Sequence, residues 1–318
     1  MTDKQTKENK FISAVIYLRN DSQYIESFVG MINDVLYENF TGYELIFVND
    51  ASTDDSVAKL RGFYATHSKF PMASMINLSH YQGQESAVNA GRDFAIGDFV
   101  FEFDDMLTDY APSLIMDVYR RSLEGYDIVS AACDNAVNLS SKAFYGIYNN
   151  LNKSGAKLVS ETFRILSRRA VNQVKSIDQY IPYRKAIYMN CGLESAKIGY
   201  DTPDPARRKR CLNSRHERSS LAIDSLIYFT NAMGKLAGLL CLLFAVVTVA
   251  VGVDIIYETI ALTHPVEGWR STMGFLSVGF FGVFLVLFIV IRYLSVLLNL
   301  NFKRTRYLIA GIEKITKE

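Results

Sequence analysis

Short apolar runs alternate with longer mixed segments through the first half of the chain. The runs are rich in Val, Ile and Phe, a composition typical of strands that are buried on both faces of a sheet. The mixed segments carry start and stop signals of helices, such as Ser-Thr-Asp-Asp at residues 52–55 and a glycine at position 97. The pattern predicts strands at residues 11–18, 43–50, 72–79, 98–105 and 126–133.

Alternation of strands with helices predicts βαβ units and therefore an α/β fold with a mainly parallel sheet flanked by helices. Ligands of such sheets bind at the carboxyl ends of the strands. Asp50 and Asp104 each stand at the end of a predicted strand, so we expect both in one crevice. The first strand is followed by RNDSQYI, without a Gly-x-Gly-x-x-Gly motif, which argues against a classical dinucleotide site.

The last third of the chain is much more apolar than the rest. No residue between Lys235 and Asp254 is charged, and none between Arg270 and Arg292. Because a helix needs about 20 apolar residues to cross a bilayer core, these stretches predict two C-terminal transmembrane helices. The alternative is a pair of helices buried in a soluble core.

Lysine and arginine flank the two apolar stretches, whereas the loop between them is acidic. The positive-inside rule therefore places both termini and the α/β domain in the cytoplasm. The preceding segment is broadly amphipathic, as expected of an interfacial helix. The predicted organisation is a polar tail at 1–10, the α/β domain at 11–215, an interfacial helix at 216–234, transmembrane helices at 235–257 and 271–294, an outer loop at 258–270 and a basic tail at 295–318.

Composition argues against nucleic-acid binding, a cysteine-based metal site and a cleavable signal peptide. The formal net charge of +1 provides no global field for nucleic acid, so no nucleic-acid partner is expected. The four cysteines show no CxxC spacing, which fits a reducing compartment and provides no metal framework. The polar N-terminus, MTDKQTKENK, predicts no cleavable signal peptide.

The stretch FVFEFDDMLTDYAP, residues 99–112, holds the main candidate chemistry. Its apolar run ends in three carboxylates, Asp104, Asp105 and Asp109. Carboxylates at a strand end suit a hard divalent cation, a basic side chain or a solvated turn, and the spacing alone leaves all three open.

Several segments, in order and spacing, resemble glycosyltransferase family 2, which has the GT-A nucleotide-sugar-binding fold. Its polyprenyl-phosphate glycosyltransferases and dolichyl-phosphate mannose synthases are the most similar members. The resemblance spans about residues 11–300 and includes the Gly268-Trp269 pair before the last apolar stretch. The segments that carry it are AVIYLRND, ELIFVNDASTDDS, NLSHYQGQESAVNAGRDFAIGDFVFEFDD and SETFRILSRRAV.

This chain departs from the family pattern at four positions. Asp21 replaces a Glu, and Asn49 replaces the first Asp of the Asp-Asp-Gly-Ser motif. Met106 replaces the middle Asp of Asp-x-Asp-Leu-x-Asp, although Asp105 adds a carboxylate one place earlier. Thr162 replaces the Asp before Phe-Arg, with Glu161 beside it. The second metal ligand and the general base therefore stay open.

The resemblance implies an inverting, metal-dependent hexosyltransferase at the cytoplasmic membrane face. A sugar would pass from a nucleotide-sugar, UDP-glucose or another UDP-hexose, to polyprenyl phosphate, giving a lipid-linked phosphosugar for cell-surface polysaccharide. It also implies Mg²⁺ or Mn²⁺, contact with the lipid bilayer and self-association.

The resemblance also assigns roles to individual residues. Catalysis is expected of Asp104, Glu161 and Arg164, and metal binding of Asp104 together with Asp105 or Asp109. The donor-binding residues would be Tyr17, Asn20, Asp50, Gln84, Arg92, Asp104 and Asp105. By their charge, Arg164, Arg168, Arg169, Arg207, Arg208 and Arg210 could bind lipid phosphate or diphosphate. For Arg207–Arg210, attraction to anionic lipid and control of topology are equally open.

Three alternative functions differ from this interpretation. A processive polysaccharide synthase is disfavoured, because QYIPYRK (179–185) lacks the Trp of the Gln-x-x-Arg-Trp motif. A non-catalytic membrane partner that kept the fold is suggested by Met106 and Asn49. A transferase with another acceptor also remains open.

Overall fold

The structure is a computed structural model of the chain. It describes residues 7–66, 73–136, 161–176, 184–206, 208, 268–302 and 307–315, together with the isolated positions 146, 239, 242, 246 and 253. Arg207, Arg210, the predicted interfacial helix and most of the first predicted transmembrane segment lie outside the described residues.

Eight strands of the described chain form one mixed sheet, in the order β7-β5-β6-β4-β1-β2-β3-β8. The first four strands of the chain run parallel to one another, while β6 is antiparallel to β4 and β8 is antiparallel to β3. The strands are β1 Glu8–Leu18, β2 Phe40–Asn49, β3 Ala73–Leu78, β4 Phe99–Phe103, β5 Ile128–Cys133, β6 Glu161–Ser167, β7 Ser195–Tyr200 and β8 Ile309–Ile315.

Helices connect the parallel strands, as the strand–helix alternation predicts. Those described are α1 Ile25–Asn39, α2 Ser56–Thr66, α3 Gln84–Phe94, α4 Ser113–Leu123, α5 Arg168–Ser176, α6 Arg184–Asn190 and α7 Gly268–Phe302. The five strands predicted from the apolar runs are confirmed, with boundaries that differ by at most three residues.

Helices cover both faces of the sheet, which explains why its strands are apolar on both sides. Ile12, Ala14 and Ile16 of β1 face a core that includes the buried sides of α1 and α4. Alternate residues of a strand point to the opposite face, and there Val15 meets α3. A Cβ at Gly91 of α3 would lie 2.8 Å from Val48 Cγ2, so glycine allows this helix its close approach to the sheet.

The C-terminal segment has a structural role that the sequence pattern does not predict. It was assigned to a basic tail, but Ile309–Ile315 pairs with Ala73–Leu78 along the edge of the sheet. At the other end of the chain, β1 begins at Glu8, inside the predicted polar tail. Both terminal segments therefore contribute strands to the α/β domain.

The chain divides into two compact units. The first comprises Met1–Ala222 and Lys303–Glu318, and the second comprises Ile223–Phe302. Within the part of the chain whose side chains the structure describes, no helix combines the length and the apolar character needed to cross a membrane. The second predicted transmembrane segment, 271–294, falls inside α7 and stays a prediction.

Candidate functional site

The sheet directions bring the candidate residues to one edge. The carboxyl ends of β1, β2, β3 and β4 meet there because these strands are parallel. The amino ends of the antiparallel strands β6 and β8 reach the same edge, so Glu161 and Leu308 also arrive there. We call this the site edge. Asp50 and Asp104 both lie on it, as predicted.

Asp50 is fully buried and bridges three segments of the site edge. Its Oδ2 accepts hydrogen bonds from the Tyr17 hydroxyl (3.1 Å) and the Gly83 backbone N–H (3.0 Å), while its Oδ1 accepts one from the Gln82 N–H (2.8 Å). Charge-assisted bonds of this kind are about twice as strong as neutral ones. Asp50 therefore anchors the loop between β3 and α3, residues 79–83, to the ends of β1 and β2. We call this loop the donor loop.

A second set of contacts shapes the loops after β1 and β2. Asn20 has φ +52°, in the left-handed region that Asn tolerates better than most residues. Its Oδ1 accepts from the Thr53 N–H at 2.9 Å. Arg19 donates to the Asp50 backbone carbonyl, and its guanidinium lies 3.7 Å from the ring centroid of Tyr81 in the donor loop. These loops are thus held together by local polar contacts.

A dense ion-pair network, which we call the charged cluster, lies further along the site edge. Arg164 of β6 donates to Asp104 Oδ2 (2.9 Å) and to Glu102 Oε2 (3.0 Å). Arg184 of α6 donates to Asp104 Oδ1 (2.9 Å) and to the same Glu102 oxygen (2.9 Å). The cluster consists of Glu85, Arg92, Glu102, Asp104, Glu161, Arg164, Arg184, Lys185 and Tyr188.

Strand register explains part of this geometry. Glu102 of β4 lies directly opposite Arg164 of β6 in the antiparallel pair, which places their side chains on one face. Both residues are fully buried. Glu161, three residues before Arg164, accepts from its Nε at 3.1 Å. Arg164 is therefore held from both sides before any ligand is present.

Asp104 is ionised throughout the neutral range. Burial alone would favour the protonated acid, but Arg164, Arg184 and Lys185 outweigh it and hold the pKa of this carboxyl well below its ordinary value. The same pairing raises the pKa of Arg164, against the effect of burial and mainly through Asp104 and Glu161. The cluster thus presents a permanent carboxylate between permanent guanidinium groups.

The remaining two acidic candidates share one arginine. Arg208 donates to both oxygens of Asp109 (2.6 and 2.7 Å) and lies 3.4 Å from Asp105 Oδ2. It also donates to the Thr162 hydroxyl (2.7 Å), which is 2.7 Å from the Tyr200 hydroxyl. Arg208, only 3% exposed, thereby joins the segment after β7 to residues 104–109, which we call the acidic turn.

The formal charges of the described residues do not balance on the site edge. The charged cluster contains four cations and four carboxylates, and Arg208 faces two further carboxylates. Counting only described residues, the arginines and lysine are one charge short of balancing the carboxylates. A diphosphate, which adds about two negative charges, would need a further cation.

The carboxylates of the acidic turn are the candidate ligands for a divalent cation. Among the described residues, no three His, Cys, Asp or Glu side chains converge as a metal cage. Mg²⁺, however, is usually held by one or two carboxylates together with substrate phosphates and water. Asp104 supplies an ionised hard oxygen donor, and Asp105 and Asp109 carry the uncompensated charge. Both oxygens of Asp104 accept from guanidinium groups and both oxygens of Asp109 accept from Arg208, so a cation bound here would share these carboxylates with the arginines and have its coordination completed by a substrate.

The structure separates the predicted phosphate-binding arginines. Arg164 and Arg208 lie on the site edge. Arg168 follows the other end of β6 and donates to the carbonyls of Ala95 and Gly97, and the exposed Arg169 pairs with Asp127. Arg168 and Arg169 lie in the same sequence motif as Arg164, but the structure does not bring them to Asp104, so the prediction that the three act together is wrong.

Two predicted donor-binding residues have defined partners. Gln84 Nε2 donates to the Asp104 backbone carbonyl at 2.8 Å and so ties α3 to the acidic turn. Arg92 is 1% exposed and donates to the Tyr188 hydroxyl and to Asn89 Oδ1, both at 2.6 Å. Arg92 is therefore a buried member of the charged cluster, and its partner Tyr188 also donates to Glu102.

Sequence reasoning missed Glu102, Arg184, Lys185 and Tyr188. Glu102 had a signal, because a carboxylate in the otherwise apolar run FVFEF requires a buried partner. No sequence signal pointed to Arg184, because it lies 80 residues after Asp104 in a segment whose local pattern does not indicate this contact.

Known proteins are similar to this chain in sequence. The profile described as Glycosyl transferase family 2 matches residues 13–174, half of the chain. An uncharacterized glycosyltransferase of Synechocystis is 26% identical over 268 residues, covering 82% of this chain and 83% of that protein. The bactoprenol glucosyl transferase of Shigella phage SfX is 23% identical over 270 residues, covering 82% and 86%.

Solved structures share the fold. Glucosyl-3-phosphoglycerate synthase from Mycobacterium tuberculosis, in complex with phosphoglyceric acid, matches 70% of this chain and 80% of its own with a TM-score of 0.53 and 17% identity. The same enzyme in complex with Mg²⁺ and UDP matches the same shares with a TM-score of 0.50 and 15% identity. At this identity the likeness supports the GT-A-like fold alone.

Proposed function

Because the chain belongs to glycosyl transferase family 2, we propose that it transfers a sugar from a nucleotide-sugar to polyprenyl phosphate. The proposed donor is UDP-glucose or another UDP-hexose, and the proposed acceptor is undecaprenyl phosphate. The product would be a lipid-linked phosphosugar, formed with inversion, for cell-surface glycan synthesis. Support for the acceptor comes from relatives named bactoprenol glucosyl transferase, which are similar along most of their length.

The observation that carries the proposal is the meeting of two kinds of group on the site edge. The donor loop and Asp50 provide a region ordered by hydrogen bonds from backbone N–H groups, which is suited to a nucleoside. The charged cluster next to it provides an ionised carboxylate between buried arginines, suited to phosphates. A nucleotide-sugar likewise consists of a nucleoside followed by a diphosphate, so each part would meet one of these two regions.

The proposed cofactor is Mg²⁺ or Mn²⁺, held by Asp104 with Asp105 or Asp109 as second ligand. Such a cation stabilises the charge that develops on a diphosphate leaving group. The charge balance supports this, because the basic side chains of the cluster are already matched by its carboxylates. A related fold that holds Mg²⁺ and UDP is consistent with it.

The acceptor makes small demands on a general base. The second pKa of a phosphate monoester is about 6, so at neutral pH it is largely an ionised nucleophile. Glu161 is bonded to Arg164, so its proposed role is to hold this guanidinium in place. Arg164 and Arg208 would bind phosphate oxygens, and Arg207 and Arg210 are proposed to assist.

We place the protein in the bacterial plasma membrane, with both termini and the catalytic domain cytoplasmic. Support comes from the sequence, in which every residue from 271 to 291 is uncharged, because a helix needs about 20 apolar residues to cross a bilayer core. Phe280, Val283, Phe288 and Ile291 are each more than half exposed, as expected for lipid-facing side chains. Association into homo-oligomers is part of the same proposal.

A second candidate is a non-catalytic membrane partner with a glycosyltransferase fold. Met106 favours it, because this residue stands where the family has an Asp and is 1% exposed within the core. The ionised Asp104 and its arginines favour catalysis, since a protein that only needs the fold gains little from a buried charge network.

The decisive experiment is a transfer assay with purified full-length protein. Labelled UDP-glucose, UDP-galactose, UDP-N-acetylhexosamines and GDP-mannose are each incubated with polyprenyl phosphate, with Mg²⁺, with Mn²⁺ or with EDTA. We expect one donor to give an organic-extractable product that EDTA abolishes. Metal-dependent UDP binding without transfer would point to another acceptor. Neither binding nor transfer by folded protein would favour the non-catalytic partner.

A further inference from the structure

The C-terminal segment contacts the donor loop through a paired hydrogen bond. The Leu308 N–H donates to Gln82 Oε1, and Gln82 Nε2 donates to the Leu308 carbonyl, both at 2.7 Å. The Ser79 N–H also donates to the Leu308 carbonyl, at 3.1 Å. The amide of Gln82 thus mimics the backbone of a neighbouring strand and extends the β3–β8 ladder into the loop.

Gln82 links this contact to Asp50. Its side chain binds Leu308, while its backbone N–H binds Asp50 Oδ1 at 2.8 Å. The next residue, Gly83, has φ +87° and donates to Asp50 Oδ2 at 3.0 Å. Moving Gln82 would therefore disturb both backbone bonds to this carboxylate.

A second link runs from β8 across the sheet to the loop after β2. Glu313 Oε1 accepts from Asn77 Nδ2, and Asn77 Oδ1 accepts from Asn49 Nδ2 at 2.8 Å. Asn49 Oδ1 in turn accepts from the Ser52 N–H at 3.0 Å. The strand from the far end of the chain thereby reaches the loops on both sides of Asp50.

We propose that β8 and its preceding residues are a positioning element of the donor site. Gln82 is the positioning residue, and the bound C-terminal segment holds the donor loop in its nucleotide-binding geometry. This inference rests on the proposed use of a nucleotide-sugar. Ordering a loop residue costs conformational entropy, so a loop that is ordered in advance spares the ligand that cost.

The role predicts a distinct kinetic effect. The donor loop lies on the Asp50 side of the site edge, away from the reacting phosphates that the charged cluster would bind. Its order should stabilise ground state and transition state alike, so its loss should raise KM and leave kcat unchanged. Loss of one paired hydrogen bond should weaken donor binding about 5–10-fold.

The test compares Gln82→Ala with Gln82→Glu and a matched control, Gln173→Ala, at an exposed glutamine of α5. In Gln82→Glu the acceptor for the Leu308 N–H remains, but the donor to its carbonyl is lost. We expect KM for the donor and the Kd for UDP to rise in the order Gln173→Ala, Gln82→Glu, Gln82→Ala, with kcat within about twofold of wild type.

Hydrogen exchange tests the positioning role without relying on transfer. Peptides that cover residues 79–84 should exchange faster in Gln82→Ala than in wild type or Gln173→Ala, while peptides from β1 stay protected. Unchanged exchange, or a fall in kcat at constant KM, would overturn the inference. If the wild type fails to bind UDP or GDP, the proposed function fails, whereas the exchange result still decides whether β8 orders the loop.

Discussion

The two halves of the site edge achieve order by different means. In the charged cluster, the fully buried Glu102, Arg164 and Arg184 are held by ion pairs of about 3 Å. Around the donor loop, backbone N–H groups supply partners to the buried Asp50 carboxylate, and amide side chains extend the network. The first region depends on charge balance, and the second depends on the path of the backbone.

This difference determines how each region responds to change. Removing one partner of a buried ion pair leaves a charge without compensation and costs about 3–5 kcal/mol. Removing one neutral hydrogen bond typically costs about 1 kcal/mol. Single substitutions in the charged cluster should therefore lower the stability of the fold strongly. Single substitutions around the donor loop should lower it only slightly and should mainly weaken ligand binding.

The largest effect is expected from Arg184→Met. The substitution removes the guanidinium that Glu85, Glu102 and Asp104 share, so we expect the free energy of unfolding to fall by about 3–5 kcal/mol. Pulse proteolysis in urea would measure it on the full-length protein. The control is Lys197→Ala, whose ion pair with Asp134 is exposed and should contribute at most about 1 kcal/mol. Similar small losses in both variants would mean that the cluster does not stabilise the fold.

Asp104→Asn and Glu161→Gln separate catalysis from support within the same cluster. We expect Asp104→Asn to lower the transfer rate at least about 100-fold, because it removes the proposed ligand of the cation. Glu161→Gln should retain appreciable activity, because the phosphate nucleophile is already ionised and the amide oxygen still accepts from Arg164. Initial rates with saturating donor and acceptor would measure both. Equal losses in folded protein would assign Glu161 a direct catalytic role.

The sequence predicts the strands and the residues at their ends, but it does not predict the ion-pair partners of the charged cluster. The parallel strands and the positions of Asp50 and Asp104 follow from local apolar periodicity, which a single sequence displays. The partners of the acidic residues do not, because Arg184 reaches Asp104, and Arg208 reaches Asp105, from distant segments whose placement depends on the completed sheet. The prediction for Arg168 was wrong for a related reason. Arg164 and Arg168 lie in one short sequence motif, but β6 places Arg164 on the site edge and Arg168 beyond its other end.

The tail was missed because its pattern is ambiguous. IAGIEKI has only weak alternation and lies at the sheet edge, where one side of the strand has no neighbour in the described sheet. Basic residues just before it suggested a membrane-flanking tail. Edge strands are short and polar in many proteins, so their patterns resemble those of loops.

The smallest effect, and the sharpest test of the donor side, concerns Asn49, where the family has an Asp. Asn49 donates to Asn77, which donates to Glu313, so the bonds run in one direction along the chain of side chains. Asn49→Asp removes the first donor. If the Asn77 amide turned to serve the new carboxylate, its oxygen would face Glu313. We therefore expect a loss of about 1 kcal/mol in stability.

Glu313→Gln should repair that loss, because its amide N–H can donate to the turned Asn77 oxygen. On its own it breaks the exposed Arg61 pair, which contributes at most about 1 kcal/mol. A double-mutant cycle should then give a favourable coupling of about 1 kcal/mol between positions 49 and 313, although the two side chains touch only through Asn77. Additive effects would show that β8 and the loop after β2 are independent. Coupling would mean that Asn49 suits this chain because Glu313 already supplies a carboxylate there.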